Sequence, residues 1–436
     1  MKTKTIAQQS VNVITLGCSK NLVDSEVLMG QLRANNINVT HENNQKSDVI
    51  IINTCGFIEN AKQESIDTIL TYIEEKQKGN IQKLYVTGCL SERYKEELTV
   101  EMPEVDAFFG TLALPELLSK FNVNYQHELI GQRTLTTPKH YAYLKISEGC
   151  NRTCAFCAIP LMRGKHVSRT IEDLIKETKH LVRNGVKEIM LIAQELTYYG
   201  LDIYKKRCLS TLLEQLSKID GLMWIRLHYC YPYDFPMDVI DTMAQFPNIC
   251  NYIDIPLQHA NNTILTAMHR HTTQEYMLSL IDTFRQKIPE IGIRTTMLVG
   301  FPNETEAQFE DLCRFVQNVK FNRLGSFTYS HEEGTRGYDL TDNISAELKQ
   351  ERMQTLMNIQ EPISLELNKK HIGTTMKVLF DDKTKEHFVG RTEYDSPEVD
   401  NEVLVFAHNN FVRLGDFANV IITESTAFEL YGHVVT

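Results

Sequence analysis

The sequence has no apolar run approaching the roughly 18 residues that a membrane-spanning helix needs, so a membrane is not an expected partner. Its first ten residues, MKTKTIAQQS, hold no apolar stretch that could act as a secretory leader, and a cytoplasmic location is expected. Positive charge is scarce: 45 Lys and Arg stand against 56 Asp and Glu, a net charge of −11. Phosphate backbones are gripped by clustered Lys and Arg, so nucleic acid is not the expected substrate, and a basic protein is at least as compatible a partner. Internal repeats and low-complexity tracts are absent as well. The turn-bearing segment TTMLVGFPNET (295–305) lacks the Gly-Lys-Ser/Thr ending of a phosphate loop.

The 436 residues are 42 % hydrophobic and 23 % charged, a globular composition whose length suggests about three domains. A monomer is expected. Ten cysteines in a chain expected to be cytosolic are not a disulfide framework and point to metal or catalysis. Three fall within residues 150–157, three are spread over the first ninety residues, and none follows Cys313.

Strand and helix alternate along most of the chain. VNVITLG (11–17), SDVIIIN (47–53), KLYVTG (83–88) and VDAFFG (105–110) read as strands, with helices expected over 22–34, 57–78 and 91–98. That alternation predicts a parallel sheet covered on both faces. Residues 122–140 are polar, end in TTPKH and read as a linker. A second series places strands at 141–146, 187–193, 224–229, 252–256, 291–298 and 324–330, with helices at 170–184, 208–219, 236–246, 261–287 and 305–319. Six such units predict a barrel or partial barrel with its chemistry at the C-terminal strand ends. A long amphipathic helix is expected over 346–370, and 374–436 reads as five short strands of a small barrel of the oligonucleotide-binding type.

Two groups of cysteines carry the chemistry. Cys150, Cys154 and Cys157 are spaced C-x3-C-x2-C directly after a predicted strand. A structural zinc wants a fourth ligand, and the nearest is His166, nine residues on. An iron–sulfur cluster can use three cysteines and leave one iron open to a ligand. The spacing favours a cluster and leaves zinc or coincidence open. Cys18, Cys55 and Cys89 each stand just past the C-terminal end of a predicted parallel strand, so one sheet edge can gather residues far apart in sequence. Packing of small apolar side chains, a metal site and a reactive thiol all remain open for these three. Cys208, Cys230, Cys250 and Cys313 read as packing residues, and Trp224 as core.

C-x3-C-x2-C with Phe156 before its last cysteine, followed by a six-unit β/α series, resembles the radical S-adenosylmethionine superfamily. The resemblance implies a 4Fe–4S cluster whose open iron is chelated by S-adenosylmethionine (SAM). It further implies reductive cleavage of SAM to a 5′-deoxyadenosyl radical that takes a hydrogen atom from carbon. TLGCSKNLVDSE, IINTCGFIENAKQES and VTGCL resemble the N-terminal domain of the methylthiotransferase family. That likeness implies an auxiliary 4Fe–4S cluster on Cys18, Cys55 and Cys89 that handles sulfur, beside the radical-generating cluster on Cys150, Cys154 and Cys157. GCSKNLVDSE, CAFCAIPLMRG, AQELTYYGLD, DIPLQHANNTILTAMHR and FTYSHEEGT are similar to the family's ribosomal branch, which modifies an aspartate of small-subunit ribosomal protein uS12. Ser19 and His331 depart from that branch, where Pro is common at both places.

The fold class implied is α/β. A Rossmann-like N-terminal domain is expected over 8–125, a partial (β/α)6 radical SAM core over 136–366 and a TRAM-like β-barrel over 369–436. Residues 366–436 carry 7 basic and 12 acidic side chains, a balance of −5 that repels a phosphate backbone and suits a basic ribosomal protein. Phe156, Gln194, Glu195 and Gly300 are the candidates for SAM contact; Gln258 and His259 could face ribose or substrate. An electron-donor protein is required. The rival readings are a tRNA adenosine methylthiotransferase and, outside enzymes, an iron–sulfur redox-sensing RNA-binding protein.

Overall fold

The structure, a computed structural model, describes residues 9–408 and 410–435. Residues 1–8, on which most of the leader reading and the start of the first expected domain fall, lie outside the described residues, as does Thr436 at the end of the last.

The N-terminal sheet holds β1 (Ser10–Thr15), β2 (Asn38–His41), β3 (Val49–Thr54), β4 (Lys83–Gly88) and β5 (Ala107–Phe108), all parallel, in the order β2-β1-β3-β4-β5. β3 is buried along its whole length. Ile51 packs on one face with Leu28 and Leu32, while Ile50 and Ile52 pack on the other with Ile69 and Ile73. Side chains alternate faces along a strand, so a continuous apolar run signals cover on both sides. The edge strand β2 has no such run and was not expected. The strand expected over 105–110 shrinks to two residues.

The expected linker is a packed clamp. Residues His127–Gln132 form a short 3-10 helix, and the next residue, Arg133, is buried. Its guanidinium pairs with Glu26 at 2.9 Å and also bonds Glu177 and the Tyr143 carbonyl. Polar composition concealed this because the charge is satisfied inside rather than in water.

The central domain contains β6 (Tyr141–Lys145), a two-stranded ribbon of β7 (Ser147–Glu148) and β8 (Val167–Ser168), then β9 (Glu188–Ile192), β10 (Trp224–Leu227), β11 (Ile249–Asp254), β12 (Gly292–Val299) and β13 (Arg323–Thr328). Six of these make an open parallel sheet in the order β6-β9-β10-β11-β12-β13, the partial barrel that was expected. Its outer residues, among them Leu144, Leu191, Leu227 and Ile253, join the helices in one large core. The helix expected over 261–287 is broken into Asn262–Ala267 and Gln274–Lys287. His269 and His271 both adopt a left-handed φ of 54°, a conformation that interrupts a helix.

A helix at Ala346–Lys369 leads to a closed five-stranded barrel: β14 (Thr375–Lys383), β15 (His387–Arg391), β16 (Glu402–Phe406), β17 (Phe417–Ser425) and β18 (Glu429–Val435). The segment between β15 and β16 fills the N-terminal end of the partial barrel. Arg226 donates to the Glu393 carbonyl at 2.6 Å, Arg323 pairs with Asp395 at 2.5 Å and Arg294 with Asp400 at 3.2 Å. Arg391 meets Glu188 at 2.5 Å. Arg294 and Arg323 of the partial barrel thus find carboxylates in the small domain, and the opposite end stays open for chemistry.

Candidate functional site

The C-terminal ends of the two parallel sheets face one another across a cavity of about 470 Å³. Cys18, Cys55 and Cys89 line one wall, and Cys150, Cys154 and Cys157 line the other.

On the N-terminal wall, tight strand-to-helix turns present the thiols. Gly17 and Gly88 have φ of +90° and +100° immediately before Cys18 and Cys89, conformations that glycine adopts without strain. A Cβ on Gly17 would stand 2.8 Å from the Cys55 sulfur, so a side chain there would displace that thiol. Cys18 caps the helix Ser19–Ala34, and Cys89 opens the helix Cys89–Glu101, placing both at positive helix ends. Burial pushes the Cys55 thiol up and the Cys89 thiol up to about 12, while Arg163 pulls against it. The Arg163 Nε donates to the Cys89 Sγ at 3.3 Å.

On the other wall, Cys150 accepts from the Arg152 backbone N–H at 3.4 Å, and Cys154 accepts from the Arg270 guanidinium at 3.4 Å. Burial pushes Cys150 up to about 12 and raises Cys157 further. Thiols so raised keep their protons at neutral pH until a metal displaces them. Among the described residues, no three His, Cys, Asp or Glu side chains gather tightly enough for a single metal ion. A cluster of several irons holds its thiolates farther apart than a lone ion does. Three thiols per wall, each group flanked by a guanidinium, fit such a group.

Gln194 and Glu195 line the cavity past the end of β9, as expected from their place in the sequence. Glu195 accepts from the Thr197 N–H at 2.7 Å and pairs with Arg152 at 3.2 Å. Gln194 donates to Glu148 at 2.6 Å and keeps its buried Oε1 unpartnered. The Gln258 Oε1 and the Nε atoms of Arg152 and Arg270 are likewise buried without partners, and all three residues line the cavity. Buried polar atoms are nearly always satisfied, so four orphans around one space mark a place for a polar ligand. Phe156 lines the same space.

Two sequence candidates lie elsewhere. Gly300 is not on the cavity wall: its N–H donates to Glu304 at 3.0 Å, and a Cβ there would meet the Lys349 side chain at 2.4 Å. The strand before it reaches the cavity at Thr296 instead. His259 is fully buried away from the cavity and faces Glu304 at 3.6 Å. Cys208, Cys230 and Cys250 are buried, and Cys230 also reaches the cavity wall. Trp224 is core, edge-on to Phe417.

Sequence reasoning missed Lys20, Arg152, Arg163, Tyr229, Tyr231 and Arg270, all of which line the cavity. Arg152 and Arg163 sit in the cysteine segment itself, which was a usable signal. Arg270 was hidden by the expected helix, whose break turns it onto Cys154.

Three family matches cover the chain: Uncharacterized protein family UPF0004 over residues 10–110, the Radical SAM superfamily over 144–316 and the TRAM domain over 372–435. A ribosomal protein uS12 methylthiotransferase RimO of Cytophaga hutchinsonii is 58 % identical over 436 residues, covering 100 % of both chains. Proteins of the same name from Flavobacterium psychrophilum and Bacteroides fragilis are 56 % and 51 % identical, covering 99 % and 98 % of this chain and 99 % and 100 % of theirs. Among solved structures, the radical SAM methyltransferase TsrM of Kitasatospora setae matches with a TM-score of 0.54 at 12 % identity, over 74 % of this chain and 75 % of that one. The cobalamin-dependent SAM radical enzyme OxsB matches with 0.51 at 13 %, over 81 % and 56 %. At such identity these two show likeness of fold.

Proposed function

The chain belongs to the family of ribosomal protein uS12 methylthiotransferases, and on that premise we propose that it places a methylthio group on the β-carbon of an aspartate of uS12. It is a radical SAM transferase with two 4Fe–4S clusters. The radical-generating cluster belongs on Cys150, Cys154 and Cys157 and the auxiliary cluster on Cys18, Cys55 and Cys89, within domains at 8–125, 136–366 and 369–436. When bound, these groups supply the electron that splits the sulfonium of one SAM and the sulfur that a second SAM methylates.

The chain's own residues bind and orient. Gln194, with a free Oε1, and Glu195, fixed by Arg152 and Thr197, offer acceptors to the SAM amino group. Phe156 gives an apolar wall. Gly300 contributes at one remove, as the turn that lets Lys349 close beneath the end of β12. Arg163 and Arg270 bring positive charge to the two thiol groups. The observation that carries the reading is that both thiol trios face one cavity, so a carbon held there is within reach of both.

The C-terminal barrel is the proposed docking surface for uS12. Several of the acids behind its −5 balance are used internally: Asp381 by Arg391, Asp395 by Arg323, Asp400 by Arg294 and Asp416 by Lys187. Among the acids left over, exposed Asp382 and Glu402 and half-buried Glu429 lie in one patch. The strand register sets Glu402 beside Glu429, and burial together with that neighbour pushes the Glu402 carboxyl up. Like charges side by side cost stability, and a basic partner would relieve that cost. A monomeric enzyme served by a separate electron-donor protein completes the proposal.

Mass spectrometry of uS12 from a strain lacking this protein tests the reading. The methylthio group is expected to be absent and to return on complementation. Unaltered uS12 with altered tRNA adenosines would transfer the function to the tRNA branch.

A further inference from the structure

Four cations line the cavity: Lys20, Arg152, Arg163 and Arg270. Arg152 pairs with Glu195, and Arg163 with Asp24 and Glu148. Arg270 bonds the Cys154 sulfur and the Pro256 carbonyl. Lys20 differs from the other three. It is only 7 % exposed, yet among the described residues its ammonium has no hydrogen bond and no carboxylate within ion-pair distance. The face of Tyr229 lies against it, with the ring centre 3.1 Å from Nζ.

The ammonium of this buried side chain opens on the cavity with three donors to satisfy, and a ring face satisfies none of them as an acceptor oxygen would. Neither carboxylate of the cavity lies within ion-pair distance of Lys20: Glu195 pairs with Arg152, and Asp254 with Arg294 at 3.0 Å. Tyr229 itself is held in a left-handed conformation, φ +62°, with its N–H on Asp254 at 3.0 Å. That conformation is uncommon for a bulky residue and persists only where the surroundings impose it. Lys20 lies two residues past Cys18, in the first turn of a helix of the N-terminal wall. Tyr229 stands next to Cys230 and Tyr231 on the wall that also carries Cys150, Cys154 and Cys157. The pair therefore spans the gap between the two thiol trios.

We propose that Lys20, backed by Tyr229, is the subsite that binds the side-chain carboxylate of the substrate aspartate and sets its β-carbon between the two trios. This deepens the uS12 reading and rests on it. The charge-to-charge contact supplies the acceptor that the cavity withholds from Lys20, and it selects an acidic side chain over its amide. Lys20 acts by positioning and exchanges no proton with the reacting carbon.

The test uses holoenzyme and recombinant uS12, with the modified aspartate first located by mass spectrometry on the wild-type product. Affinity is measured for native uS12 and for uS12 with that aspartate changed to asparagine. Wild-type enzyme is expected to bind the asparagine form about tenfold or more weakly, as loss of one partner of a desolvated charge pair implies. Lys20→Met should bind native uS12 as weakly as wild type binds the asparagine form and lose the discrimination between the two. Lys20→Arg should retain it. The KM for SAM, read from 5′-deoxyadenosine formed without uS12, should not follow the loss. Equal binding of the two uS12 forms by wild-type enzyme overturns the proposal without any enzyme variant. A Lys20→Met enzyme that still discriminates, or one whose KM rises for SAM and not for uS12, also overturns it, the latter by assigning the ammonium to the SAM carboxylate. Wild-type enzyme that leaves uS12 unmodified would instead refute the functional reading itself.

Discussion

The Arg163 guanidinium, carried by the helix that follows the C-x3-C-x2-C loop, donates to the sulfur of Cys89 on the opposite sheet at 3.3 Å. The same side chain pairs with Asp24 at 2.6 Å, in the helix that begins after Cys18. One buried cation thus ties the loop of one thiol trio to two strand ends of the other.

Arg163→Met is therefore expected to uncouple the halves. Asp24 and Glu148 would be left to Lys145, and breaking a buried pair costs about 3–5 kcal/mol. We expect a clear drop in unfolding midpoint, and iron falling from about eight per chain toward four as the Cys18, Cys55 and Cys89 group is lost. Full iron content and an unchanged midpoint would contradict the assignment.

Glu148 makes the same seam sensitive to acid. Burial would push its carboxyl up, but Lys145 and Arg163 hold it at about 2. A carboxyl held below its unfolded value stabilises the fold above that unfolded value, and the contribution is lost as pH falls through the folded one. The difference in stability between wild type and Glu148→Gln, measured on metal-free protein, should be full above about pH 4.5 and fade as pH falls toward about 2. A difference that vanishes already near pH 6 would show that the ion pairs are not formed.

Glu188 holds the small barrel to the large one. It is fully buried and meets Arg226 at 2.9 Å and Arg391 at 2.5 Å. Glu188→Gln would leave the buried Arg226 without a carboxylate and Arg391 with Asp381 alone, with an expected loss of about 3–5 kcal/mol. Limited proteolysis should then cut near the helix Ala346–Lys369 faster than in wild type. Equal cutting rates would mean that the apolar contacts suffice.

The proposed docking surface is better tested by neutralising the outward acids than by deleting the domain, because deletion would also bare Arg226, Arg294 and Arg323. Asp382→Asn, Glu402→Gln and Glu429→Gln together should slow association with uS12 and flatten its dependence on salt, since rim charges act mainly on the on-rate. Association rates with the same salt slope as wild type would remove this patch from the encounter.

Much of this arrangement was legible in the sequence. Apart from the edge strand β2, the strands of both parallel sheets announce themselves as apolar runs, and each critical cysteine follows one, so the convergence of Cys18, Cys55 and Cys89 could be read from topology alone. The illegible parts depend on partners distant in sequence. Arg133 looks like part of a polar linker until Glu26 and Glu177 are seen around it. Arg270 looks like one turn of a helix until the left-handed His269 and His271 break it. The acids of the last domain look like surface charge until Arg294 and Arg323 meet Asp400 and Asp395. Gly300 has the look of a cofactor turn, while its space is taken by Lys349. Local pattern specifies elements, and the pairing of charges across elements is decided only when they pack.

Two thiol trios on one cavity are expected to divide the work, and product analysis of two triple variants is the decisive measurement. The enzymes with Cys18, Cys55 and Cys89 changed to Ala, and with Cys150, Cys154 and Cys157 changed to Ala, are each incubated anaerobically with SAM, a reductant and uS12. We expect the first to form 5′-deoxyadenosine but no methylthio product, and to lose methyl transfer to sulfur, read as S-adenosylhomocysteine. The second should form neither 5′-deoxyadenosine nor methylthio product while keeping methyl transfer, which is a polar displacement and needs no radical. Methylthio product from the first variant would mean that the sulfur comes from elsewhere and that the trios do not divide the work.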